Sequence, residues 1–211
     1  MRKFIKHTLF ALSLVIAATF NSVQAASETL GYELVTPVQP TQDVKKVEVI
    51  EFFWYGCPHC FDFEPTLAKW VKMLPKNVEF IRQPAVFSDL WSKHAKAYYT
   101  AEALGVIDNV HGDFFDAIQT KKEHLETEEQ LTNFFVAHGV SAADFKAAYG
   151  SFLVDTRVRQ AASLAAKYGV SGVPAIVING KYKTSGPVAG SHEKMIEVMN
   201  RLIEQESATK K

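Results

Sequence analysis

Cys57 and Cys60 are the two cysteines of the 211-residue chain, and they stand three apart in the run Phe53-Trp54-Tyr55-Gly56-Cys57-Pro58-His59-Cys60. A disulfide between them would close a loop of only four residues, so it would remove little chain entropy from the unfolded state and tie nothing distant together. Redox exchange is the better use of such a pair. The same spacing occurs in zinc knuckles, but zinc requires two further ligands, and the sequence has no second C-x-x-C and no H-x-x-x-H. Neither a metal nor a cofactor is expected.

Pro58 suits the first position of a helix, where its missing N–H is one that the helix leaves unbonded anyway. Cys57 then precedes the helix, where backbone N–H groups and the positive end of the macrodipole stabilise a thiolate. His59 can add a hydrogen bond or a positive charge. Because these interactions exist for the thiolate and not for the disulfide, they favour the reduced form and make the oxidised pair a stronger oxidant. Cys60, a turn further on, is expected to be less exposed and to act as the resolving thiol.

Two other positions carry candidate roles. Glu51 lies six residues before Cys57 inside an otherwise apolar run, so its carboxyl is either on a wet edge or buried with a raised pKa, where it could accept or relay the proton of Cys60. Pro174 follows a turn carrying Gly169 and Gly172 and starts a strand, an unusual place for proline unless the Val173-Pro174 bond is cis or the strand edge is open. An open edge would let an extended substrate chain pair with the backbone of Val173. Spacing alone favours an ordinary trans bond. His94, His111, His124, His138 and His192 sit among polar residues and are read as solvated surface groups.

The elements that must hold these groups can be outlined from periodicity. Residues Val44 to Trp54 read as a strand buried on both faces, and Gly56 breaks it before a helix carrying Phe61, Leu67, Trp70, Val71 and Leu74. Pro75 ends that helix, and Val78 to Pro84 read as a second strand. Residues 88–168 contain four helix-like segments and no convincing strand. They include the capping-box pattern at Thr127 to Gln130 and a short turn capped by Ser141. Strand character returns at Val173 to Ile178, Asn179-Gly180 is a type I′ hairpin signal, and a last helix begins near Ser191 before a disordered tail from Ser207.

The N-terminus bears on compartment. Arg2, Lys3 and Lys6 precede a 12-residue apolar run from Leu9 to Phe20. A membrane span needs roughly 20 such residues. The run fits a signal peptide over residues 1–25, with Val23-Gln24-Ala25 as the small-x-small cleavage site. Its removal takes away three basic residues and no acidic one, leaving 20 basic against 23 acidic, so nucleic acid is not an expected partner.

Taken together, these residues resemble the DsbA family, the periplasmic thiol:disulfide interchange proteins of Gram-negative bacteria. The similarity rests on Glu51-Phe52-Phe53 six residues ahead of Cys57-Pro58-His59-Cys60, on the continuation from Phe61 to Glu64, and on Gly172-Val173-Pro174 followed by Val177-Ile178-Asn179-Gly180-Lys181-Tyr182. It extends over residues 30–205. The resemblance implies an α/β chain with a thioredoxin fold and an inserted helical domain, with residues 26–87 and 169–211 forming the thioredoxin-like part and 88–168 the insertion. It further implies a nucleophilic Cys57, a cis Val173-Pro174 bond, clients that are reduced exported proteins still folding in the periplasm, and reoxidation by a quinone-linked inner-membrane partner. The chain is expected to act as a monomer. One departure stands out: where the family's best-known form has a lysine near the buried glutamate, this chain offers Arg82, which does not give up its proton.

Two other functions compete with that of a disulfide donor. A disulfide isomerase or reductase would use the same pair kept reduced, and commonly has a separate dimerisation domain, for which no segment is visible. A peptide-binding chaperone would use a groove and leave the cysteines incidental. Replacing Cys57 by Ser separates that last reading from the redox ones.

Overall fold

Val47–Phe53 forms the central strand, β2, and all seven of its residues are buried. In the computed structural model, which describes residues 30–209, it lies in a five-stranded sheet with β1 Glu33–Leu34, β3 Val78–Pro84, β4 Ala175–Ile178 and β5 Tyr182–Ser185, in the order β1-β5-β4-β2-β3. β2 pairs in parallel with β3 and antiparallel with β4. A strand covered on both faces carries apolar residues at both parities, here Val47, Val49 and Phe53 on one and Ile50 and Phe52 on the other, with Glu48 and Glu51 buried among them.

The alternation of side chains nevertheless decides where Glu51 points. Val47 and Val49 pack with Phe63, Leu67 and Trp70, whereas Ile50 and Phe52 pack with Ala165, Tyr168 and Val177 on the other face. Glu51 shares the parity of Val47 and Val49, so it faces helix α1, Pro58–Val71. That helix buries Cys60, Phe63, Leu67 and Trp70, a 3-4-3 stripe that brings the second cysteine onto the sheet-facing side.

Between β3 and β4 stand five helices: α2 Asp89–Ala103, α3 Ile107–Gln119, α4 Glu128–Ala137, α5 Ala142–Tyr149 and α6 Phe152–Lys167. Their core contains Phe114, Phe115, Leu131, Phe135 and Phe145, and the same cluster includes Phe53, Tyr55, Cys57 and Cys60. The dithiol pair thus lies where the sheet, α1 and the helical block meet. The expected short turn after Ser141 is a two-turn helix: the Ser141 hydroxyl accepts from the Asp144 N–H, and Phe145 is fully buried. The capping box at Thr127 and Gln130 forms as its spacing predicts.

Asn179 and Gly180 both have positive φ, 51° and 67°, as a type I′ turn requires. A side chain at Gly180 would also collide with the backbone of Gln39. After β5 comes the single-turn α7, Gly186–Ala189, and then α8, His192–Ala208. The tail expected to be disordered from Ser207 is helical through Ala208, because Glu206 is buried and bonds Lys181 and Asn179, which ties that turn to the hairpin. The leader segment read in residues 1–25 and the last two residues lie outside the described residues. No helix among the described residues is long and apolar enough to cross a membrane.

Candidate active site: the dithiol pair

Cys57 is the N-cap of α1, and Pro58 takes the first helical position. The Cys57 N–H donates to the Trp54 carbonyl at 2.9 Å, closing the turn from strand to helix. Gly56 is required in that turn for a steric reason, since a Cβ there would lie 2.2 Å from the Trp54 ring. The Trp54 ring is itself fixed by stacking on Trp91, with centroids 4.3 Å apart, and by donating Nε1–H to His94 Nδ1 at 3.0 Å.

The two sulfurs stand in opposite electrostatic settings. The Cys57 thiol is lowered to about 6, first by the hydrogen bond from Cys60, then by the backbone N–H groups of Cys60 and His59, and least by the His59 charge; burial opposes the shift. Cys57 retains 8 % exposure, and its Sγ lies 3.5 Å from the Val173 carbonyl oxygen. Cys60 is 1 % exposed, and burial together with the neighbouring Cys57 pushes its thiol far upward. One cysteine is therefore a thiolate at neutral pH with a small part of its surface open, and the other a fully enclosed thiol. Pro58 and His59 are both exposed.

The Val173-Pro174 bond is cis, as the resemblance implied, and the Val173 carbonyl faces Cys57. A second cis bond, Thr36-Pro37, had no signal beyond the proline itself. Val173 and Pro174 line an open cavity of about 810 Å³ together with His59, Gly172, Lys183 and His192.

Glu51 is buried, and burial raises its carboxyl to about 8 against the opposing pull of Arg82. The parallel register sets Glu51 directly beside Arg82, whose Nε lies 3.4 Å from Glu51 Oε2. Of the two readings open to Glu51, the buried one holds. Arg82 also donates to Glu64 Oε1 at 2.6 Å, and Glu64 Oε2 faces His111 Nε2 at 3.6 Å. His111 Nδ1 meets the Tyr55 hydroxyl at 2.8 Å.

The surface reading of the histidines fails at two positions: His94 and His111 are buried. Both lie on helix faces that turn toward the aromatic core, which a count of polar neighbours in the chain does not register. Glu64 was missed as part of the site, although its spacing of four from Cys60 puts both on one face of α1. His111 likewise stands three and four before Phe114 and Phe115, a helical stripe that could have revealed its inward direction.

This geometry matches known proteins. The family model described as DSBA-like thioredoxin domain covers residues 48–194. The chain belongs to the DsbA family. A relative from Azotobacter vinelandii, named thiol:disulfide interchange protein DsbA, is 45 % identical over 174 residues, 82 % of this chain and 81 % of that one. One of the same name from Pseudomonas aeruginosa is 38 % identical over 210 residues, 98 % of this chain and 99 % of its own. The crystal structure of Pseudomonas aeruginosa DsbA superposes with a TM-score of 0.82 at 38 % identity, covering 85 % of this chain and 93 % of that one. A Proteus mirabilis DsbA variant, described as a complex with a non-covalently bound peptide PWATCDS, has a TM-score of 0.68 at 28 % identity over 83 % of this chain and 94 % of its own. The chain is accordingly a protein thiol-disulfide oxidoreductase, with a thioredoxin fold carrying an inserted helical domain.

Proposed function

We propose that this DsbA-family enzyme donates its Cys57–Cys60 disulfide to the thiols of newly exported proteins through a mixed disulfide on Cys57. A client thiolate attacks Cys57 Sγ, the Cys57–Cys60 bond breaks, and its electron pair leaves on Cys60 Sγ, which takes up a proton. A second client thiolate then attacks the client sulfur of the mixed disulfide and displaces Cys57 as a thiolate. The client has lost two electrons to the pair. Cys57 is well placed as both the attacked sulfur and the final leaving group, because a less basic thiolate leaves faster.

The observation that carries this reading is the contrast between the two sulfurs, Cys57 lowered to about 6 at a helix start and Cys60 enclosed with its thiol pushed up. Glu51, on the face of β2 that packs against the helix of Cys60 and raised to about 8, holds a proton at neutral pH for the departing Cys60. Pro58 presets the helix start, and His59 adds a small charge contribution. Val173 and Pro174 form the substrate contact: the Val173 carbonyl beside Cys57 supports pairing with an extended client backbone, and a relative that binds a peptide non-covalently supports a peptide as ligand. The division into a thioredoxin-like unit of residues 26–87 and 169–211 and an insertion of 88–168 belongs to the same reading. So do export by the leader of residues 1–25, a periplasmic site of action, action as a monomer, and reoxidation by a quinone-linked inner-membrane oxidase.

The test pairs two substitutions with one labelling experiment. Cys57→Ser should abolish oxidation of a reduced dithiol peptide, and Cys60→Ser, given the same peptide in its disulfide form, should accumulate the mixed disulfide on Cys57, because the Cys57 thiolate displaces one peptide sulfur and no second protein thiol resolves the product. In the reduced protein, iodoacetamide should modify Cys57 with a rate midpoint near pH 6 and leave Cys60 unlabelled. Labelling of Cys60 first would reverse the assignment, and full function in Cys57→Ser would favour a binding module.

A further inference from the structure

Four buried side-chain atoms among the described residues face one another in pairs without a hydrogen-bond partner: Glu51 Oε2 with Arg82 Nε, and Glu64 Oε2 with His111 Nε2. They belong to a single file running Tyr55, His111, Glu64, Arg82, Glu51, with separations of 2.8, 3.6, 2.6 and 3.4 Å. The Glu51 end of this file faces α1, which carries Cys60, and its charge adds a little to the rise of the Cys60 thiol. The file also contains an asymmetry, because Arg82 hydrogen-bonds Glu64 and makes only a longer ion contact with Glu51.

We propose that His111 is a positioning residue of the dithiol centre: by turning Nε2–H toward Glu64 it keeps that carboxylate engaged with Arg82, and so leaves Glu51 as the proton-carrying group facing the helix of Cys60. The inference rests on the redox function proposed above and adds a residue that acts through two others.

The direction of the file follows from its ends. Burial raises the Tyr55 hydroxyl well above its usual value, so it stays protonated and donates to His111 Nδ1. Burial lowers His111, so the imidazole is neutral and carries its one proton on Nε2, facing Glu64. The opposite tautomer would aim a lone pair at a carboxylate. Although burial alone would raise Glu64, its carboxyl is held below the usual range by His111 and Arg82; Arg82 makes the hydrogen bond, at 2.6 Å, and the His111 N–H faces the other oxygen across a longer 3.6 Å. The ionised Glu64 acts on Glu51 twice in one direction: it draws Arg82 to itself, and its own negative charge opposes a second one nearby.

The other groups facing His111 do not supply that role. Tyr98 from α2 and the rings of Phe53 and Phe115 stand edge-on to the imidazole, Arg82 from β3 disfavours its protonation, and Asp108 on its own helix favours it weakly. The aromatic surroundings have room for a ring at this position, so His111→Phe is a reasonable substitution. With no imidazole N–H facing its Oε2, Glu64 should protonate more readily, its hold on Arg82 should loosen, Arg82 should turn to Glu51, and Glu51 should ionise at lower pH. Its proton would then be missing when Cys60 leaves.

The experiment follows Glu51 directly and through chemistry. The protonated C=O stretch of Glu51 is titrated by infrared spectroscopy in the oxidised protein and assigned by its loss in Glu51→Gln. The rate of oxidation of a reduced dithiol peptide, expressed per peptide thiolate, is measured over the same pH range. In His111→Phe both the Glu51 titration and the alkaline fall in rate should move down by at least about one pH unit, since a neighbouring opposite charge shifts a carboxyl by roughly one to three units. His111→Gln, which keeps an N–H for Glu64, should stay near the native profile. Glu64→Gln should reproduce the shift, and adding His111→Phe to it should move nothing further. An unmoved Glu51 titration in His111→Phe overturns the proposal, as does an unmoved one in Glu64→Gln should the first variant not fold. If the native protein does not oxidise the peptide, the redox reading itself fails, while the infrared titration still decides the part played by His111.

Discussion

At the scale of single residues, the pair Cys57 and Cys60 was legible from spacing alone, because two thiols three apart can do little else than exchange. Their inequality was legible too, from Pro58 marking the helix start. The small weight of His59 was not. Its side chain is exposed, so its charge is screened by water, and it contributes least among the groups that lower Cys57. His59→Ala should therefore make the protein less oxidising, since it removes a partner of the thiolate and none of the disulfide, but only modestly. For a two-electron couple about 1.4 kcal/mol corresponds to ~30 mV, and the fall should be smaller than that. A glutathione equilibrium titration measures it. A much larger fall would mean that His59, and not the helix start with Cys60, is the main support of the Cys57 thiolate.

At the scale of elements, β2, β3 and the hairpin at Asn179-Gly180 were readable because β-branched runs and turn residues act locally. What linked the elements was not. Arg82 was placed near Glu51 only through the family resemblance, and although spacing marks the helix faces of Glu64 and His111, the register and packing that bring those faces into one file are pairings between distant segments. Gly56 illustrates the gap at the junction of β2 and α1. It reads as a strand breaker, whereas the structure uses its missing side chain to admit the Trp54 ring. Because Trp54 is pinned by Trp91 and His94, Gly56→Ala has no easy relief. Overpacking of this kind typically lowers stability by about 1–3 kcal/mol. The variant should melt earlier in both redox states and show altered tryptophan fluorescence as the Trp54–Trp91 stack is disturbed. Native melting with native fluorescence would mean that the turn, and not the ring, yields.

At the scale of the whole molecule, the redox pair and the fold's stability are linked, since a group that titrates differently in the folded and unfolded chain makes stability depend on pH. Cys57 is lowered to about 6 in the folded reduced protein, against about 8.5 for an unfolded cysteine. A depressed pKa gives stability that is fully present above the unfolded value and is lost as pH falls through the folded one. The oxidised protein has no such thiol. Glu51 and the other carboxyls occur in both forms, so their contributions cancel in the comparison, and the loop closed by the disulfide adds an amount independent of pH. Cys60 begins to oppose the trend only where an unfolded cysteine ionises, so the window lies below about pH 8.5. Between about pH 5 and pH 8 the reduced form should gain about 2 kcal/mol over the oxidised form. At roughly 2–4 °C per kcal/mol for a chain of this size, the difference in melting temperature, reduced minus oxidised, should rise by about 4–8 °C across that window. The slope is the decisive quantity, because the disulfide's own constraint shifts the two curves apart without tilting them. Parallel melting profiles would show that Cys57 is not held as a thiolate in the fold, and the case for a strongly oxidising pair would lose its physical basis.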